Sequence, residues 1–239
     1  MKALSVIITV VALTVSGTGG SSPFLKQQGN ESEAMAPKNE TIKLPGPGYR
    51  SGTPVEQALL KRRSVREYKD EPLTLAEISQ LLWAAQGITE AGRGLRTAPS
   101  AGALYPLEVY VAAGNVNDLP GWIYRYLPRC HELLPVVRGD KRAELCNAAW
   151  NQSPVGEAAA VIVISAVYGR TTVKYGERGI RYVHMEAGHA AQNILLQAVS
   201  LNLGTVVIGS FNDAQVKKTM NAGNDEQPLY LIPAGKAAK

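Results

Sequence analysis

Apolar residues at positions 75, 78, 81, 82 and 85 recur at intervals of three and four, which predicts an amphipathic helix with one buried face. Thr74 and Glu77 stand where a capping box would open that helix, and Gly87 where it would stop. A shorter helix is predicted ahead of it: Thr53 reads as the N-cap, Pro54 as the first helical residue, and Val55, Ala58, Leu59 and Arg62 follow at helical spacing. The stretch AGRGLRTAPSAGALYP has neither period and reads as a loop. Residues 108–113 (EVYVAA) and 122–127 (WIYRYL) are rich in β-branched and aromatic residues and predict strands. Residues 140–150 read as helix, and the unbroken apolar run at 158–167 (AAAVIVISAV) as a strand covered on both faces. A long helix over 186–201 follows, with Ala190, Asn193, Ile194, Gln197 and Leu201 in register; small residues at 187, 188, 190 and 191 would let another helix approach closely. Its polar members Gln192 and Asn193 need partners if buried. Residues 204–209 (GTVVIG) and 229–233 (LYLIP) complete the strands, with a short helix capped by Asp213 between them. The pattern is that of a mixed α+β domain whose two longest helices flank a sheet.

A chain of 239 residues with 45% hydrophobic content can bury one sizeable core. Residues 1–20 carry a lysine, an uncharged apolar run and then small residues, the layout of a secretory signal peptide or membrane anchor, so export or membrane association is expected. The run is short for a membrane span. Residues 21–50 turn to Gly, Ser, Pro, Asn and Glu and read as a flexible linker, which leaves 51–239 as the folded domain. Asn30 and Asn39 each begin a glycosylation-type triplet within the linker. The net charge of +5 is interleaved with 20 acidic residues, which argues against a nucleic-acid stripe and leaves small anions as partners. Cys130 and Cys146 allow one bridge or two free thiols. His184 and His189 are five apart, which does not align two imidazoles on one helical face, and His131 is distant, so no metal site is expected.

The segment KRRSVR at 61–66 puts four cations around one serine. Taken alone it reads as a solvated helix end. Taken with RRSVREY, TAPSAGALYPLEVYV, KYGERGIRYVHMEAGHAAQNILLQAVSLNLGTVVIGSF and PLYLIPAG, in that order, it resembles the nitroreductase family of flavin enzymes. The likeness is strongest to the SagB-type branch, named for thiazoline/oxazoline dehydrogenases, and spans about residues 54–236. It implies a central mixed or antiparallel sheet flanked by helices, non-covalent FMN, and a homodimer with the flavin at the subunit interface.

By that resemblance Arg62 and Ser64 belong to the phosphate and ribityl contacts, Arg66 to the ring edge, and Arg63 to the same block. Guanidinium forks and a hydroxyl suit a phosphate dianion. Pro99, Ser100, Ala101 and Gly102 resemble the loop laid against the flavin, where small residues admit main chain close to the ring. Gly209 and Ser210 stand where the family sets main chain beside it, and Lys236 is the candidate for the basic residue the family keeps near its carboxyl terminus. Lys174 and Tyr175 resemble the Lys-Tyr pair that azoline-dehydrogenating members use for proton transfer, with Val173 where leucine is usual. The implied activity is hydride transfer to or from a small organic substrate. The alternatives are a nitro or quinone reductase fed by NAD(P)H and an exported flavin-binding protein without turnover.

Overall fold

The computed structural model describes residues 40–238. The predicted leader, residues 21–39 of the predicted linker, and the triplet asparagines Asn30 and Asn39 lie outside the described residues. The chain begins with β1 (Ile42–Lys43), α1 (Val55–Lys61), α2 (Leu75–Gln86), a small hairpin of β2 (Ile88–Glu90) and β3 (Leu95–Arg96), and a single 3-10 turn at Ala101–Ala103. It continues through β4 (Leu107–Ala113), β5 (Ile123–Leu127), β6 (Glu132–Val137), α3 (Arg142–Ala148), α4 (Ser153–Glu157), β7 (Ala160–Val167), α5 (Gly169–Tyr175), α6 (Arg178–Ser200), β8 (Leu203–Thr205), α7 (Asp213–Met220) and β9 (Glu226–Lys236).

Seven strands form one sheet in the order β1-β6-β5-β4-β7-β9-β8, and every paired neighbour is antiparallel. Parallel pairing enters as isolated bridges, Ser64 with Thr205 at the β8 edge and Leu73 with Val116. β7 lies centrally, with Val163 opposite Tyr110 on one side and Leu231 on the other. Its alternation serves two cores, because successive strand side chains point to opposite faces. Ile162 and Ile164 join Val109 and Val111 under α2 and α6; Val161 and Val163 join Tyr110 under α3, α4 and α7.

The two longest helices therefore do not flank the sheet. α2 and α6 lie together on one face, where Ile78, Leu81 and Leu82 meet Ala187, Ala190 and Ile194, and three short helices cover the other. The predicted capping box is present: Thr74 Oγ1 accepts from Glu77 N at 3.2 Å, and Thr74 N donates to Glu77 Oε2 at 2.9 Å. At α1 the cap position is Pro54 itself, one residue later than predicted. At α7 Asn212 caps rather than Asp213, its Oδ1 accepting from Gln215 N at 3.0 Å.

Residues 40–50, read as linker, are tied down in the structure. Leu44 is buried, Gly48 N donates to Gln80 Oε1 at 2.8 Å, and Ser79 Oγ donates to Pro45 O at 2.6 Å. His131 joins that knot, with Nε2 3.0 Å from Pro45 O and Nδ1 2.8 Å from the Tyr126 hydroxyl. Cys130 and Cys146 are both free.

Candidate active site

The loop after β3 follows a strained course. Gly102, Ala103 and Tyr105 all take positive φ, at 64°, 53° and 47°. Only glycine enters that region without steric cost, and Gly102 has a second reason to lack a side chain. A Cβ placed there would lie 2.8 Å from the Tyr175 phenolic oxygen and 3.1 Å from Lys174 Nζ. The structure thus brings the predicted loop and the predicted Lys-Tyr pair together, although they are more than seventy residues apart in the chain.

Lys174 and Tyr175 are helical. They form the last turn of α5, which ends at Gly176 with φ 56°, and α6 begins two residues later, eight residues before the predicted start. Lys174 Nζ lies 5.4 Å from the Tyr175 ring centroid, and Tyr182 meets the Tyr175 ring edge-on at 5.2 Å. Lys174 is exposed and Tyr175 half-buried, so the pair offers a cation and a phenol at the surface beside an exposed glycine.

Behind the loop lies a residue that the sequence reading passed over. Glu186 of α6 is 2% exposed, and its Oε1 has no partner. Burial pushes its carboxyl up to about 7, against the opposing pull of Ser100 and Arg96. A signal existed: Glu186 stands three residues after Val183 and four before Ala190, on the face that the helical period buries.

The basic block runs elsewhere. Residues 64–69 pass along the β8–β9 edge, where Val65 N donates to Thr205 O and Lys69 N to Lys236 O, each at 2.9 Å. Gly204 makes room for this passage, since a Cβ there would lie 2.6 Å from Val65 Cγ1. Arg63 folds back to cap α1, donating to Leu60 O and Arg62 O at 2.9 and 2.8 Å. Lys236 is bound to Glu77 of the capping box. Arg62 and Arg66 make no ion pair and no side-chain hydrogen bond among the described residues, and Ser64 is exposed beside them. Nothing joins these residues to the 99–102 loop within the described chain.

Gly209 and Ser210 are exposed just past the Ile208–Leu231 bridge, and Ser210 O accepts from Gln152 Nε2 at 3.0 Å. An open cleft of about 730 Å³ between residues 46–53, α2 and α6 is lined by Tyr49, Gln80, Trp83 and Gln197 and by none of the predicted flavin residues. The cleft's lining carries one cation, Arg50, whereas Arg62 and Arg66 offer two guanidinium groups without an ion pair or side-chain hydrogen bond among the described residues, which suits a phosphate dianion.

The fold is that of an oxidoreductase: a crystal structure from Ralstonia eutropha JMP134, provisionally named a nitroreductase, superposes with a TM-score of 0.75 at 34% identity, covering 84% of this chain and 91% of that one. Residues 59–236 match the Nitroreductase family, and the chain belongs to it. A provisionally named nitroreductase of Methanocaldococcus jannaschii, MJ1384, is 44% identical over 208 residues, 87% of this chain and 98% of its own length. The microcin B17-processing protein McbC of Escherichia coli is 31% identical over 155 residues, and the match spans 62% of this chain and 57% of McbC.

Proposed function

We propose that this nitroreductase-family oxidoreductase binds FMN and oxidises a small heterocycle of the azoline type, in the manner of thiazoline/oxazoline dehydrogenases. The observation that carries the reading is the convergence of Lys174 Nζ and the Tyr175 hydroxyl on Gly102. The likeness to a microcin-processing protein supports it. Arg62, Ser64 and Arg66 would hold the phosphate and the ring edge, while residues 99–102 and Gly209–Ser210 would supply main chain beside the ring. The acceptor for the hydride that the substrate loses would be supplied by bound FMN. The proton from the neighbouring substrate atom passes to the Lys174 amine, and the Tyr175 phenol shares it. The azoline gives up one hydride and one proton and becomes the azole.

A homodimer is part of this reading. The basic block and the 99–102 loop are not joined among the described residues, and a second subunit would bring one set against the other. Val55, Leu59 and Leu60 on α1, with Val173, Ile180 and Met185 on α5 and α6, supply exposed apolar surface for that contact. Export or membrane tethering through residues 1–20 rests on the apolar run of the sequence. No helix among the described residues is long and apolar enough to cross a membrane.

The test is to purify the full chain with FMN, record the flavin's visible spectrum, and follow its bleaching under anaerobic conditions with an azoline peptide and with NADH or NADPH. Azoline-dependent bleaching that disappears in Lys174→Ala, with the flavin still bound, is the expected result. Bleaching by the nicotinamides alone would replace this reading with a nitro or quinone reductase, and a protein that binds no flavin would end both.

A further inference from the structure

Two consecutive residues in the turn between α3 and α4, Trp150 and Asn151, take φ of 58°. Asparagine tolerates that region, whereas a bulky side chain there is an outlier that the surrounding structure must enforce. Hydrogen bonds within the turn do so: Trp150 N donates to Asn147 O at 3.1 Å, Asn151 N to Cys146 O at 2.9 Å, and Cys146 Sγ to Gln152 O at 3.3 Å. Packing gives no reason for an indole at this position. Trp150 is 63% exposed, belongs to neither core and has no ring contact among the described residues, whereas Trp83 and Trp122 are half-buried against Tyr49 and Tyr124. The turn is fastened to the segment that follows Ile208. Asn212 N donates to Ala148 O at 2.8 Å and Gln152 Nε2 to Ser210 O at 3.0 Å, so bonds on either side of Trp150 hold it beside residues 210–212.

We propose that Trp150 determines substrate specificity: its exposed indole forms a wall of the site at Gly209–Ser210 and stacks on a planar aromatic group carried by the substrate. The inference rests on the reading that Gly209 and Ser210 lie beside the flavin, and it deepens that reading by naming an aryl-bearing heterocycle as the substrate class. An indole suits this use, because its large apolar face gains from offset or edge-on contact with a second ring and gives up little side-chain freedom in holding one pose. The rigid turn suits it too, since a backbone fixed in advance keeps the ring in place before a ligand arrives. Gly209 and Ser210 leave room for that ligand: both are exposed and neither carries a bulky side chain. No Asp, Glu, Lys, Arg or His occurs in residues 146–153 or 204–212, so the surroundings favour a neutral ring over an ionised group.

The test titrates the full chain, supplied with FMN, with a phenyl-substituted and a methyl-substituted thiazole by calorimetry, setting the native protein beside Trp150→Phe, Trp150→Ala and Trp150→Asn. The native protein should prefer the phenyl compound. In the alanine and asparagine variants that compound should lose about fivefold or more in affinity while the methyl compound changes by less than about twofold, and Trp150→Phe should keep most of the native preference. A native protein without the preference, or an alanine variant that retains it, would overturn the proposal. Thermal unfolding separates contact from structure. Trp150→Asn places in the turn a residue that accepts positive φ, so it must melt no lower than the native protein; a clear drop would make the indole a structural residue and end the proposal. A native protein that takes up no FMN ends the flavin reading and this inference together, whereas bound FMN with an unchanged preference in the variants ends the inference alone.

Discussion

The hydroxyl of Tyr175 lies where a side chain on Gly102 would have to go: a Cβ built on that glycine comes within 2.8 Å of it. Because Gly102 also holds φ at 64°, Gly102→Ala meets two penalties. The backbone term is about 1–2 kcal/mol, and the contact must push Tyr175 or Lys174 aside. We expect a modest loss of stability by urea unfolding and a much larger loss of turnover. An alanine variant with native turnover would show that the close approach has no part in the chemistry.

Tyr175→Phe should leave the fold untouched, because its ring keeps its edge contact with Tyr182 and the removed hydroxyl is not holding a buried group. A shared proton-transfer role is worth about a hundredfold in rate. Steady-state kinetics on the proposed azoline substrate should show that loss in kcat with KM little changed. A change confined to KM would assign Tyr175 to binding.

Glu186 makes stability depend on pH with a defined sign. Its carboxyl is raised from 4.5 to about 7 in the fold, so between those values the native protein holds a proton that the unfolded chain has lost. Stability therefore falls as pH rises through that interval and stays lower above it. The shift corresponds to roughly 3 kcal/mol. Glu186→Gln cannot ionise, so its stability relative to the native protein should grow from acid to alkaline conditions. Thermal unfolding at both ends of the interval measures it, and an advantage independent of pH would contradict the raised value.

Of the cations predicted for phosphate, Arg62 is uncommitted and Lys236 is engaged by Glu77. Arg62→Ala should weaken FMN binding about tenfold or more, the worth of a charge-assisted hydrogen bond, with little effect on unfolding. Lys236→Ala should do the reverse. It removes the partner of a carboxyl that burial would raise but that the Lys236 and Thr74 bonds hold below its usual range. Glu77's contribution to stability is present above its unfolded value of 4.5 and is lost as pH falls through the lower folded one, so the Lys236→Ala effect should vanish in acid. Fluorescence titration with FMN and urea unfolding of both variants check the pair. Equal loss of affinity would place Lys236 in the phosphate site.

Legibility followed local physics. β4 and β7 were evident because β-branched residues crowd them, and α2 because its capping box and apolar period agree. β6 was not, since Pro135 interrupts its run and no local pattern reveals that this proline pairs with Tyr124. The first turns of α6 were missed because Arg178, Ile180, Arg181, His184 and Met185 face solvent and leave no apolar period to read. Strand β8 is shorter than GTVVIG suggested, because Leu203–Thr205 pair continuously with β9 and beyond them Ile208 returns to it only as an isolated bridge to Leu231.

The sequence by itself determined the α+β class, the main strands and the long helices, and the residue types that can hold a phosphate or move a proton. Those properties depend on neighbours a few positions apart, through hydrogen bonds and buried faces that repeat along the chain. Tertiary structure alone decided that Lys174 and Tyr175 close on Gly102, that Lys236 belongs to Glu77, and that α2 and α6 share one face of the sheet. It also buried Glu186 behind Ser100, because an acid's burial depends on what packs over it, and the groups that do so come from β3 and from a loop nearly ninety residues earlier in the chain.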